Sequence, residues 1–261
     1  VSELVVSGSQ GTAVMVRDGE VTLDSVEIDG VVPAEVPGNQ GTGLEVREAG
    51  VLLAESVSVV GTSGPALVVA EGTEASCTAC DLTGGGFASV VVHGSVELTD
   101  GVVTDSVLHD SFGGGVGVFV KEGDLVATGV DLSGHPGASL WLEGSGSYDV
   151  SSCSLVGETA GSGDGAGHGL VALGGISSWD GVQGLRLAGN TISSAGGAGV
   201  LLDASTASME GNSWSENDVD LRQTTCDGVD PVDTSAEPSM SLDLCPAGAD
   251  PTAPLTGDWA E

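Results

Sequence analysis

One pattern recurs along this chain and leaves few folds open to it. A short segment of the form apolar-x-apolar-x-x-Gly is followed by two more short alternating segments, and then the unit starts again. The copies read AVMVRDGEVTLDSVEIDG from Ala13, GLEVREAGVLLAESVSVVG from Gly43, ALVVAEGTEASCTACDLTG from Ala66 and SVVVHGSVELTDGVV from Ser89. GVGVFVKEGDLVATGVDLSG from Gly115 and SLWLEGSGSYDVSSCSLVG from Ser139 follow, with weaker copies around Gly169 and Gly199. The copies start about 20 to 32 residues apart, a spacing that marks repeat architectures.

Each copy predicts three short strands. The first carries the pairs Val14/Val16, Leu44/Val46, Leu67/Val69, Val90/Val92, Val118/Val120 and Leu140/Leu142. The second carries Val21/Leu23, Val51/Leu53 and Val96/Leu98. The third carries Val26/Ile28, Val57/Val59, Cys80/Leu82, Val130/Leu132, Cys153/Leu155, Asn190/Ile192 and Asn212/Trp214. Alternation sends every second side chain to one face. A single unit cannot bury that face, but stacked units can. Turns this close leave no room for crossover helices. The reading is an all-β solenoid of about eight rungs with parallel sheets along its length and negligible helix. The chain is 40% hydrophobic but only 3% aromatic, with 44 Gly, so the core must be built from Val, Leu, Ala and Gly.

The rung pattern, together with LAGNTI at 187–192 and MEGNSW at 209–214, resembles the right-handed parallel β-helix superfamily of pectate-lyase-like proteins. The resemblance covers residues 5 to about 220. It implies right-handed coiling, and ladders of stacked asparagines at a tight turn, here Asn190 and Asn212. It implies nothing specific about a reaction, because one fold hosts many functions.

With Val118 and Val120 inward, Phe119 and Lys121 point outward. The file through Phe119 then reads Met15, Glu45, Val68, Val91, Phe119, Trp141, Ala172, Leu201, mostly apolar. The file through Lys121 reads Arg17, Arg47, Ala70, His93, Lys121, Glu143. Three of the five basic residues of the chain thus share one line. An apolar stripe on an outer face marks something that covers it. The occupants left open are the chain's own tail or a loop, a protein partner or identical subunit, and a polysaccharide. The expected contact surface is Met15, Val68, Val91, Phe119, Trp141 and Leu201, with Arg17, Arg47, His93 and Lys121 beside it.

Charge narrows the partners. Lys plus Arg is 5 against 38 Asp plus Glu, a net charge of −33. Such a chain repels nucleic acid and anionic membranes. No run of 18 apolar residues is present to span a bilayer. The acidity suits a saline or calcium-containing exterior, so calcium is the one cofactor considered, without a defined motif. The opening VSELVVSGSQ reads as a mature or excised piece of a longer precursor. Residues 222–261 leave the repeat and are rich in Pro, Asp, Ser and Thr, which divides the chain into a β-helix at 1–221 and an irregular C-terminal cap or tail. Cys226 and Cys245 bracket a loop there and are expected to be disulfide-bonded, a bond worth about 3 kcal/mol by loop entropy. That pairing places the chain outside the cell or on its surface.

Several motifs offer a chemistry beside a plainer reading. GHG at 167–169 resembles a motif of polygalacturonase-type hydrolases, but the paired aspartates and basic element of those enzymes are missing. A lyase would need Lys121 or Arg47 as its positive group, and no acidic cluster is tied to either in sequence. His109, His135 and His168, with Asp110 and Asp164, would be a metal site if their loops met; solvated loop histidines are the plainer reading. CTAC at 77–80 has redox or zinc spacing, but its register turns both sulfurs inward as small buried residues, with a local disulfide as the next reading. The expected function is an extracellular structural or interaction module that associates with itself or another protein. The competing class is a polysaccharide-binding protein, or a lyase or hydrolase of the same fold.

Overall fold

The structure, a computed structural model, describes residues 1–34, 41–107, 115–158, 167–177, 180–225 and 240–244. Every regular element among them is a β-strand. The strands form three sheets of ten, eight and nine members, named here sheets one, two and three. The chain visits them in that order and returns. Rung one runs Thr12–Arg17, Glu20–Asp24, Glu27–Asp29; rung eight runs Ala198–Asp203, Ser208–Glu210, Ser213–Ser215. Each strand pairs in parallel with its counterpart one rung away, as Val118 opposite Val90 and Leu140. The result is the expected right-handed parallel β-helix of about eight rungs. That hand is the one a right-twisted strand adopts when its connection returns to a parallel neighbour. Sheet one runs on through Val219–Thr225 and Met240–Leu244.

Alternation builds the core as read from the sequence. Val16, Leu44, Val46, Leu67, Val69, Val90, Val92, Val118, Val120, Leu140 and Leu142 all lie inside. One pair is out of phase. Leu52 and Ala54 are in the core, not Val51 and Leu53, and Leu53 is 38% exposed. Arg17 pairs with Arg47, but Glu20 pairs with Val51, so the second rung spends one extra residue on its turn. An apolar run such as Val51-Leu52-Leu53-Ala54 carries no alternation of its own, and the turn length decides which members face in.

The turn between sheets two and three is two residues long in every rung, from Ser25-Val26 to Gly211-Asn212. Its first residue is left-handed even where it carries a side chain: φ is 54° at Ser25, 55° at Ser56, 52° at Ala79, 51° at Asp100 and 55° at Ser152. Each such non-glycine residue costs about 1–2 kcal/mol. At Cys80, Cys153, Asn190 and Asn212 the second residue ties the rungs together through its side chain. Asn190 Oδ1 accepts the Cys153 N–H at 2.9 Å, and its Nδ2 donates to Val150 O at 2.9 Å. Asn212 repeats both contacts one rung on, taking the Asn190 N–H and donating to Leu187 O, each at 2.9 Å. The ladder implied by the resemblance is therefore present. Cys80 and Cys153 occupy the same column and make the same two contacts through sulfur. Their thiols face Ala54 O at 3.9 Å and Ala127 O at 3.4 Å, while the N–H groups of Val57 and Val130 donate to the sulfurs. They are more than small apolar fillers.

The corner that enters sheet one is crowded and selects small residues. Gly43, Ala66, Ser89, Gly117, Ser139, Gly169 and Gly199 follow one another in register just before the inward apolar pair. A Cβ at Gly117 would sit 2.6 Å from His135 Nε2. That histidine ends the strand Asp131–His135 and is fully buried, so it is not a solvated loop residue. Its Nε2–H donates to Val103 O at 3.0 Å, and its Nδ1 accepts from Ser106 Oγ at 2.9 Å. Burial pushes its pKa down to about 4, against the opposing pull of the Val103 carbonyl, Asp105 and Asp131. It is a neutral packing residue.

Candidate functional site

Chain length varies around sheet one and nowhere else. Its strands are reached through long connections at 30–41, 105–115 and 158–167, and left through another at 174–183. The turns between sheets two and three stay at two residues throughout. Loops on a rigid scaffold are where binding residues concentrate, so the outer face of sheet one is the place to look.

The register confirms most of the expected file across this face. Met15 pairs with Glu45, Glu45 with Val68, Val68 with Val91, Val91 with Phe119 and Phe119 with Trp141. The next member is Val171, not Ala172, followed by Leu201 and Arg222. Ala172 belongs to the core. The stretch Leu170-Val171-Ala172-Leu173 is apolar throughout, so only pairing with Trp141 settles its phase.

The file is not uniformly wet. Met15 is 42% exposed, and Val68, Phe119, Trp141 and Leu201 are half-buried. Val91 is 7% exposed and Val171 only 1%, although both point away from the solenoid core. Val91 joins a second small apolar cluster with Ala88 and Val116, against which Val68, Phe87, Phe119 and Trp141 pack. Phe87 meets Phe119 edge to face, with ring centroids 5.7 Å apart at 71°, a preferred aromatic geometry. Phe87 and Val116 escaped the sequence reading because both stand in the corner before the alternating segment. The one signal was a lone Phe after GGG in GGGFAS.

The basic file holds its members in line but occupies them locally. Arg47 is bound to Glu45 through Nε and Nη2, and Thr12 Oγ1 donates to the other oxygen of Glu45 at 2.9 Å. Arg17 Nη1 lies 3.8 Å from Glu48, and its Nε donates to Met15 Sδ at 2.9 Å. Lys121 Nζ lies 3.8 Å from Glu143, its register partner. Arg186, on sheet two, binds both oxygens of Asp149 at 2.8 and 3.1 Å. The exposed pairs among these are worth about 0–1 kcal/mol each. His93 is half-buried just beyond the strand Ala88–Val92, its backbone N–H bonded to Val69 O.

His168 opens the strand His168–Leu173 beside the file. Its Nδ1 accepts the Ala198 N–H at 2.9 Å, and burial holds its pKa below the usual histidine range. The GHG histidine thus serves a backbone donor in the next rung. His109, Asp110 and Asp164 lie outside the described residues, as do Cys226 and Cys245. Among the described residues, no three His, Cys, Asp or Glu side chains converge to hold a metal ion. Cys77, Cys80 and Cys153 are free thiols, all buried.

Comparison of the chain with protein-family models, with characterised proteins and with solved structures returns no match.

Proposed function

We propose that the protein is an extracellular, non-catalytic interaction module of the pectate-lyase-like β-helix type, acting through the outer face of sheet one. The observation that carries this reading is the confinement of all long connections to the two edges of that sheet. The half-buried apolar groups on its floor add to it, since covering one such side chain fully is worth about 1.5–3 kcal/mol. The occupation of Arg17, Arg47 and Lys121 by carboxylates of the chain weighs against their use as catalytic bases. The partner is a second copy of the chain or another protein. The −33 charge opposes close approach unless cations screen it, so association should strengthen with salt or calcium.

Light scattering of the native chain with and without calcium tests self-association. The expected result is a mass above the monomer that falls to the monomer when Phe119→Ser and Trp141→Ser are combined, with the β-rich circular dichroism unchanged. A native monomer at high concentration with calcium present removes the identical-subunit reading. An unchanged mass in the double variant removes this face.

A second reading, a polysaccharide-binding protein or a polysaccharide-cleaving enzyme of the same architecture, is favoured by one feature. Phe119 and Trp141 stand side by side on adjacent rungs, in register, and sugar rings stack on such pairs. Retention on a panel of immobilised neutral and acidic glycans, lost in the same double variant, would favour it.

A further inference from the structure

We propose that Cys77 and Cys80 form an internal disulfide across the corner between sheets two and three when the chain meets an oxidising thiol buffer. This modification is independent of what the face of sheet one binds.

The two residues sit at the tight turn of the third rung, Cys80 being its second residue. Cys77 lies within the strand Glu74–Thr78, and Cys80 immediately precedes the strand Asp81–Gly84. Between them Ala79 takes the left-handed conformation, with φ of 52°, at a corner that leaves both side chains in the same core. They are 1% and 3% exposed. Within that core each thiol shifts the ionisation of the other. The other rungs fill the same two positions with groups that cannot react, such as Leu23 and Val26, Ala54 and Val57, or Ala127 and Val130. Cys153 repeats the second position three rungs on, but its neighbour at the first is Val150. Only the third rung pairs two thiols across its corner among the described residues.

The pair also differs in how readily each thiol ionises. The neighbouring Cys77 thiol lowers the Cys80 thiol from its usual range, with burial opposing and the Val57 N–H helping. The Cys80 thiol, together with burial, raises Cys77. Cys80 is therefore the attacking sulfur, because the thiolate is the nucleophile. Its thiolate attacks one sulfur of glutathione disulfide, forming a mixed disulfide and releasing one glutathione thiolate. Cys77 then loses its proton and attacks the Cys80 sulfur, releasing the second glutathione. Two protons and two electrons leave the pair, and the oxidant ends as two thiols. Because both sulfurs are buried, the reaction belongs to the folding chain or to a local opening of the third rung.

The test refolds the full chain from denaturant in buffered glutathione disulfide, with a parallel sample held in a reducing agent. Free thiols are blocked with excess iodoacetamide in denaturant at about pH 8, where they ionise. Cleavage after acidic residues releases the segment 75–81, which holds both cysteines. The expected product from the oxidised sample carries no adduct, is two hydrogens lighter than the reduced peptide, and becomes doubly alkylated only after reduction. In Cys77→Ser, Cys80 should instead be recovered as a glutathione adduct. Two alkylated thiols after oxidative refolding overturn the proposal. So does either cysteine linked to another segment of the chain, or a mixed disulfide that persists in the parent with Cys77 available.

Discussion

Acidification should weaken this fold through a single buried histidine. His135 is held neutral in the native state, with a pKa near 4 against about 6.5 for a free imidazole. The unfolded chain therefore takes up this proton first as the pH falls. The contribution is complete above about pH 6.5 and is lost progressively as the pH drops toward 4. The two values differ by about 2.5, and each pH unit is worth about 1.36 kcal/mol, so the ceiling is about 3 kcal/mol. About 2 kcal/mol of it is gone by pH 5. The 38 acidic residues complicate a single curve, because lowering the pH also relieves their mutual repulsion. The informative quantity is the difference between the native chain and His135→Gln, which keeps a donor and an acceptor but does not titrate. Urea midpoints of both proteins at pH 7.5, 6, 5 and 4.5 supply it. The native chain should lose about 2 kcal/mol more than the variant between pH 7.5 and 5. Parallel profiles would refute the claim that His135 is buried neutral.

Two further outcomes follow from the corners. Gly117→Ala should cost about 1–3 kcal/mol by overpacking, since the new methyl would meet His135 Nε2 at 2.6 Å; an unchanged denaturation midpoint would show that the corner has room. Asn190→Ala should cost about 2–4 kcal/mol, because it strands the buried Cys153 N–H and Val150 carbonyl. Asn190→Cys should cost clearly less, as Cys80 and Cys153 make both contacts in the same column, and equal losses for the two variants in chemical denaturation would remove sulfur from the ladder.

The architecture was legible because it follows from local periodicity. Alternating pairs such as Val118/Val120 and Val130/Leu132, repeated at short spacing with no room for helices, admit stacked parallel strands and little else. The asparagines at 190 and 212 were legible as a ladder through resemblance alone, and their hydrogen bonds bear it out. Where the local pattern was silent, the sequence could not choose. Val51-Leu52-Leu53-Ala54 and Leu170-Val171-Ala172-Leu173 are apolar throughout, and only pairing across rungs decided which members face in. The surroundings of single side chains were also beyond reach. His135 is the fifth residue of an ordinary strand, yet its burial depends on Ser106 and Val103, contributed by the preceding rung. The outer file was placed correctly except at Ala172, where Val171 stands instead, but its wetness was not: Val91 and Val171 point outward and are still covered. Where apolar and polar residues alternate, a sequence determines which face a strand residue takes, because that is set by its neighbours two positions away. What lies over that face is set by segments distant in the chain, and only the tertiary structure brings them together.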